Sequence, residues 1–225
     1  MSLVLAVDCA VSGLGVAVTR DGACLAFLRE EGRDQAARLL PAVASALRDA
    51  GVERGELSLI AVTLGPGSFT GVRVGLAAAR GLAVGLGVPL AGVPTTSVLI
   101  AQAATRDRLV VAAVDSRLGD WFCAIGEGPQ VPFAVTATEL AGRLRDRSCV
   151  VVGPDVGPLA GQLSAAGVDA EAEVASLDPV TLARLGLAAG VEAWRTRNRR
   201  EGLPKPLYLR GVSVTLPDGA RRTVD

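Results

Sequence analysis

Two aspartates stand at positions where folded α/β chains often bind small ligands. Asp8 ends the apolar run 3–7, and Asp115 ends the apolar run 109–114. Such runs predict buried strands, and open α/β sheets bind ligands at the carboxyl ends of their strands. A carboxylate there can coordinate Mg²⁺ through water or activate a nucleophile, or it can simply cap the turn that follows. Both alternatives stay open, and Asp8, Asp115 and Arg117 are the candidates for a nucleotide-binding cleft.

A glycine-rich turn separates the apolar run 59–64 from an apolar segment of helical pattern. Its spacing matches neither a phosphate-binding P-loop nor the dinucleotide fingerprint. Proline and the second glycine suit a type II turn, and Ser68 or Thr70 suits the N-cap of the helix. The turn therefore has a structural explanation, although a helix N-terminus can also bind an anion. The motif consists of Gly65, Pro66, Gly67, Ser68, Phe69, Thr70 and Gly71, followed by Val72 and Arg73.

The composition excludes several kinds of chemistry. The 225 residues include no histidine, so Ser-His-Asp catalysis, Cys-His catalysis and histidine-ligated zinc are all excluded. The four cysteines are scattered and form no C-x-x-C pair, which predicts reduced, buried thiols in a cytoplasmic protein and no metal site. The net charge of zero provides no field that would attract nucleic acid or a membrane surface.

The order of predicted elements repeats halfway along the chain. Strand, Asp, polar turn and strand occur first over 3–18 and again over 109–125, which predicts a duplicated lobe. We therefore expect a first lobe of residues 1–106, with three antiparallel strands followed by strands over 59–64 and 90–93. Its helices are expected over 34–50, from about 70 to 85 after the glycine-rich turn, and from about 95 onward. The second lobe, residues 107–225, is expected to contain a long helix over 179–199 and to end in a loosely ordered polar tail.

Small residues recur every fourth position along the helix that follows the turn. The stripe consists of Gly71, Gly75, Ala79 and Ala83. Because these residues have little or no side chain, another backbone can approach this face closely. Glycine inside a helix costs about 1 kcal/mol relative to alanine, which implies tight packing in return. The neighbour is either the chain's own helix over 34–50 or a helix of another subunit.

At this point the chain resembles the TsaB (YeaZ) family. The specific element is the nine-residue motif 65–73 after a strand. Supporting landmarks appear in family order: the opening Leu-Ala-Val-Asp-Cys-Ala, Arg-Leu-Leu-Pro at 38–41, Asp-Ser-Arg-Leu-Gly-Asp at 115–120 and Pro-Leu-Tyr-Leu-Arg at 206–210. The resemblance spans residues 3 to about 210.

The resemblance implies a two-lobed actin/Hsp70/sugar-kinase-like (ASKHA) fold, in which each lobe is a mixed sheet flanked by helices. It also implies a non-catalytic subunit that supports TsaD, the enzyme that transfers a threonylcarbamoyl group to the tRNA adenosine 3′ of the anticodon. The implied partners are TsaD, the ATPase TsaE and TsaC, which supplies threonylcarbamoyl-AMP. A homodimer is expected when the chain is alone, and tRNA is contacted only indirectly. No tightly bound cofactor is expected, although the junction of the complex is a candidate site for ATP or ADP.

The family resemblance places the partner interface on the first two helices of the first lobe. Carried over, the interface residues are Leu39, Leu40, Val43, Gly71, Val72, Gly75, Ala79 and Ala83. One departure stands before the first of these helices, where many family members have histidine and this chain has Gly32-Arg33-Asp34-Gln35. The alternative function is a nucleotide-dependent kinase or ATPase of the same superfold that uses Asp8.

Overall fold

The structure is a computed structural model. It describes residues 1–11, 13–32, 34–104 and 107–210, and the backbone of 212–215 and 221–224. The predicted lobe boundary falls between residues 106 and 107, and residue 106 lies outside this set. Arg33 also lies outside it. The division into lobes at that position stays a prediction.

The first half of the chain builds a five-stranded mixed sheet. Its strands are β1 (Leu3–Asp8), β2 (Leu14–Arg20), β3 (Ala23–Glu30), β4 (Leu59–Thr63) and β5 (Leu90–Val93), in the order β3-β2-β1-β4-β5. The first three strands are antiparallel, as predicted, while β4 and β5 run parallel to β1. Asp21 and Gly22 have φ of 49° and 83°, which is the conformation of the two-residue hairpin turn that Asp-Gly predicts.

The second half repeats this topology strand for strand. Its strands are β6 (Leu109–Asp115), β7 (Trp121–Ile125), β8 (Phe133–Val135), β9 (Cys149–Gly153) and β10 (Ala170–Val174), in the order β8-β7-β6-β9-β10. The central strand β6 is antiparallel to β7 and parallel to β9. The two mixed sheets flanked by helices confirm the predicted fold class.

Seven helices accompany the two sheets in the described residues. They are α1 (Gln35–Asp49), α2 (Phe69–Leu86), α3 (Thr95–Gln102), α4 (Ala137–Arg143), α5 (Gly157–Ala165), α6 (Pro179–Ala188) and α7 (Val191–Glu201). The single helix expected over 179–199 is therefore wrong. Gly190, with φ of 83°, leaves the helical conformation and separates α6 from α7. Pro41 lies inside α1, which begins six residues earlier at Gln35.

The two lobes exchange one helix each. α1 and α2 cover the outer face of the first sheet, whereas its inner face is covered by α6 from the second half. Conversely, α3 from the first half packs against β6, β7 and β9 of the second sheet. The fit of α6 is close, because a Cβ at Gly186 would lie 2.8 Å from the Cβ of Ala61. One continuous apolar core thus runs between the sheets and joins both halves.

Two further expectations concern the surface and the tail. Cys24 on the edge strand β3 is exposed, so the prediction that all four thiols are buried is wrong for this one; the other three are buried. Past Arg210, β11 (Val212–Thr215) and β12 (Arg221–Val224) pair as an antiparallel ribbon where a loose tail was expected.

One helix in the described part of the chain, α2, is long and apolar enough to cross a membrane by length and composition alone. This is weak evidence, because the core helices of soluble proteins pass the same test.

Candidate functional site at the carboxyl edge of the first sheet

Asp8 ends β1 as a buried carboxylate that is bonded to its own chain. Its Oδ1 accepts hydrogen bonds from the backbone N–H of Ala10 at 2.9 Å and from the Thr63 hydroxyl at 2.7 Å. Burial raises the pKa of Asp8 to about 6, against the opposing effect of these two bonds and of the Arg29 charge. Only 3% of the residue is exposed, so Asp8 caps the β1–β2 turn and offers solvent almost no surface.

The glycine-rich turn lies directly on that β1–β2 turn. A Cβ at Gly67 would lie 2.2 Å from the carbonyl oxygen of Ala10, and one at Gly71 would lie 2.0 Å from that of Cys9. The backbone N–H of Ser68 donates to the Ala10 carbonyl at 2.7 Å. Real Cβ atoms do not approach other atoms so closely, so both positions require glycine. The motif is therefore rich in glycine because two backbone segments of the same chain touch there.

The geometry of the turn corrects part of the prediction. The positive φ of 91° belongs to Gly65, which precedes a cis peptide bond to Pro66, and Gly67 is not among the residues with positive φ. The expected type II turn with Gly67 at its third position is therefore wrong. The capping prediction is confirmed for Ser68, whose Oγ accepts from Gly71 N–H at 3.1 Å. The Ser68 N–H, which donates to Ala10, and the Gly71 N–H are thus both bonded within the chain.

The second lobe carries a more open version of the same turn. Asp115 Oδ1 accepts from the backbone N–H of Arg117 at 2.7 Å, two residues on, as Asp8 does with Ala10. The Arg117 guanidinium lies 3.4 Å from Asp115 and 3.6 Å from Asp155, and 76% of its side chain is exposed. Asp115 and Arg117 thus pair with each other on the second lobe, while Asp8 packs with the glycine-rich turn on the first.

The predicted partner interface lies mostly inside the chain. Leu40 is 54% exposed, but the remaining seven residues are buried: Leu39, Val43, Gly71, Val72, Gly75, Ala79 and Ala83. Gly71 and Gly75 face Cys9, and Ala79 and Ala83 belong to the core beneath the sheet. The small-residue stripe is therefore turned into the chain, and at Gly71 and Gly75 the neighbour is Cys9 rather than either of the two helices considered. Binding of a partner through other residues of α1 and α2 stays a prediction.

The exposed face of α2 carries apolar residues that the sequence did not single out as an interface. Val84 is 71% exposed and Phe69 is 61% exposed. The Arg73 guanidinium lies over the Phe69 ring at 3.2 Å from its centroid and donates to the Tyr208 hydroxyl at 2.7 Å. Only a third of the residues of this apolar helix are buried.

Residues 203–210, which we call the strap, run past this surface without regular secondary structure. Arg80 of α2 donates from Nε to the carbonyl of Pro204 at 3.0 Å, and Leu207 N–H donates to the carbonyl of Leu64 at 2.8 Å. The sequence marked 206–210 as a landmark and as non-helical. Nothing in the sequence predicted that Arg73 and Arg80 of α2 bind the strap.

Other groups that could form a site are distant from this edge. Among the described residues, no set of three or more His, Cys, Asp or Glu side chains is placed to hold a metal ion. A cavity of about 600 Å³ opens at the amino end of β6, where Arg108, Glu127 and Arg147 line it. Arg108 is already paired with Asp169 and Glu171, and Arg147 with Glu127.

The comparisons with known proteins find proteins named for the threonylcarbamoyladenosine modification of tRNA. A model of the family TsaD, tRNA N6-adenosine threonylcarbamoyltransferase, matches residues 29–143, which is half of the chain. The TsaB protein of Escherichia coli, named for tRNA threonylcarbamoyladenosine biosynthesis, is 38% identical over 124 residues, and that of Bacillus subtilis is 33% identical over 123. These matches cover 54% of this chain and 53–54% of the relatives, so the chain spans about half the length of the curated relatives that it matches.

The likeness to a solved structure extends over nearly the whole chain. YeaZ from Pseudomonas aeruginosa superposes with a TM-score of 0.71 at 27% identity. The match covers 93% of this chain and 100% of that one. The structural similarity therefore extends well beyond the 54% of the chain that the matches to the curated relatives cover.

Proposed function

This chain belongs to the family that the TsaD model describes, and within it to the TsaB/YeaZ proteins, and from that membership we propose that it is a non-catalytic subunit in the biosynthesis of threonylcarbamoyladenosine in tRNA. Its proposed partner is TsaD. It holds TsaD through α1 and α2, and TsaD carries out the transfer.

The observation that carries the proposal is the exposed apolar surface of α1 and α2. Leu40, Phe69 and Val84 are large apolar side chains that are each more than half exposed, and two thirds of α2 is not buried. These side chains lie on two helices that pack against each other, and exposed apolar surface marks protein–protein interfaces where it is contiguous. The buried face of α2 fixes the helix rigidly against Cys9, so its outer face is presented in one orientation.

The chemistry of the chain supports a non-catalytic role. It contains no histidine, and Asp8, the carboxylate best placed for catalysis in this fold, is buried and already accepts two hydrogen bonds. The alternative of an Asp8-dependent kinase or ATPase requires that carboxylate to reach a nucleotide, and only 3% of Asp8 is exposed. TsaE, TsaC, a homodimer of the isolated chain and ATP or ADP at the junction remain predictions from the family resemblance, as does cytoplasmic location.

The test is co-purification of this chain with the TsaD of the same organism. Leu40→Asp and Val84→Asp place a charge at the proposed interface, and Val174→Asp is the matched control, since Val174 is 69% exposed on β10 of the other lobe. We expect the first two variants to lose TsaD and the control to keep it. The proposal is wrong if all three variants retain TsaD and tRNA modification at the wild-type level.

A further inference from the structure

The strap is bound to the first lobe at several points along its length. Arg80 holds its beginning through the Pro204 carbonyl, Leu207 pairs with Leu64 through the backbone, and Arg73 donates to Tyr208 at 2.7 Å. Gly92 of β5 also lies against the strap, because a Cβ there would be 2.7 Å from the Cβ of Pro204. These contacts use two charged side chains and one backbone pair, so the strap is fixed on this side.

The last residue of the strap is bound to the second lobe. Arg210 forms an ion pair with Asp120 in the β6–β7 turn, and its guanidinium lies 5.7 Å from the centroid of the Phe122 ring. The pair is partly withdrawn from water, since 13% of the Asp120 side chain and 35% of the Arg210 side chain are exposed. Asp120 also accepts a hydrogen bond from the Ser116 hydroxyl, which holds the carboxylate in place for Arg210.

The two ends of the strap meet the lobes at equivalent edges. Leu64 directly follows β4, next to the Thr63 that bonds Asp8, and Asp120 lies in the turn that follows β6. Both positions are at the carboxyl ends of parallel strands, where a two-lobed α/β protein has its interlobe cleft. The strap therefore crosses from one lobe to the other at the edge that carries Asp8 and Asp115.

We propose that residues 203–210 are a latch that holds the two lobes closed across this edge, and that this edge opens when Arg210 leaves Asp120, while the apolar core shared by the two halves stays intact and acts as the hinge. Arg210–Asp120 is the release point because it is the contact between the strap and the second lobe's turn, whereas the first lobe holds the strap by several bonds. The inference concerns the relation of the lobes to each other and does not depend on the proposed partner.

The test is a distance measurement between the lobes in the full chain. Cys24 is exposed on β3, whereas Cys9, Cys123 and Cys149 are buried, so a nitroxide label will attach to Cys24 and to one introduced cysteine. Val174→Cys supplies the second site, on β10 of the other lobe at a position that is 69% exposed. Double electron–electron resonance then reports the distribution of the distance between the two labels.

In the parent labelled protein we expect one narrow distance. Arg210→Gln and Asp120→Asn should each add a longer distance, with the open population raised about fivefold, which corresponds to about 1 kcal/mol. The exchanged pair, Asp120→Arg with Arg210→Asp, should restore the narrow distribution. Circular dichroism of each variant checks that it is folded, and Arg210→Gln leaves the Ser116–Asp120 bond in place should the Asp120 variant unfold.

The control removes an ion pair that lies within one lobe. Glu127 pairs with Arg147 at 2.6 Å, and both belong to the second lobe, so Glu127→Gln should leave the distance distribution unchanged. The latch is refuted if Arg210→Gln and Asp120→Asn keep the parent distribution. It is equally refuted if Glu127→Gln broadens the distribution as much as they do, because the lobes would then respond to any lost charge pair.

Discussion

Replacing Asp8 with asparagine should change how the stability of the protein depends on pH. Burial raises the pKa of Asp8 from 3.8 to about 6 in the folded chain, so the folded state binds a proton that the unfolded state releases between these values. The stability that this proton contributes is fully present below pH 3.8 and is lost as the pH rises through 6. A difference of about 2 pH units corresponds to about 3 kcal/mol.

Asparagine has no charge to bury and keeps an oxygen that can accept from Ala10 and Thr63. The free energy of unfolding of Asp8→Asn, minus that of the wild type, should therefore increase by about 2 kcal/mol between pH 4 and pH 7, since part of the effect is already present at pH 4. Urea unfolding followed by circular dichroism at several pH values measures this difference. The comparison uses the change with pH, so any constant effect of the amide on packing cancels.

Thr63→Val provides the matched variant, because it removes the hydroxyl that donates to Asp8 at 2.7 Å and keeps the shape of the side chain. This bond lowers the pKa of Asp8, so its loss should move the pH range of the stability change upward. The result that refutes this reasoning is a difference in free energy of unfolding between Asp8→Asn and the wild type that is the same at pH 4 and pH 7. The Asp8 carboxylate would then not be the buried cap of the β1–β2 turn described above.

Two further changes test the packing of the first lobe. Gly71→Ala should lower the free energy of unfolding by at least about 2 kcal/mol, since its Cβ would lie 2.0 Å from the Cys9 carbonyl oxygen. Gly81→Ala in the same helix is the control: its Cβ meets nothing within 4 Å, so it should raise the free energy of unfolding by about 1 kcal/mol. Equal urea midpoints for the two variants would contradict the contact between Gly71 and Cys9. A fragment of residues 1–104 should fail to give dispersed NMR spectra because the inner face of its sheet lacks α6, whereas a folded fragment would show that the exchanged helix is dispensable.

Much of the architecture was predictable because it depends on local pattern. Continuous apolar runs identified β1, β4 and β6, which are buried on both faces, and Asp21-Gly22 identified the hairpin. The edge strands β8 and β10 were missed. β10 alternates alanine with glutamate and is mostly exposed, and β8 has three residues, so neither shows the apolar run that marks a buried strand.

The candidate site was only half predictable, because spacing identifies a close approach but not the group that approaches. The stripe at Gly71 and Gly75 correctly indicated tight packing, yet the neighbour is the Cys9 backbone and side chain, far away in sequence. The outward residues Phe69 and Val84 are apolar like the inward ones, so periodicity could not separate a core face from an exposed face on this helix. Tyr208 and Arg80 depend on contacts more than 120 residues apart.

The exchange of helices between the lobes has a consequence for synthesis on the ribosome. A chain emerges from its amino end and its domains usually fold in that order, but here the inner face of the first sheet is covered by α6, which ends at Ala188. Val4, Ala6, Leu59 and Ala61 therefore stay uncovered until more than four fifths of the chain has been made. The nascent protein carries an open apolar sheet for most of its translation, which makes it a natural client for chaperones that bind at the ribosomal exit.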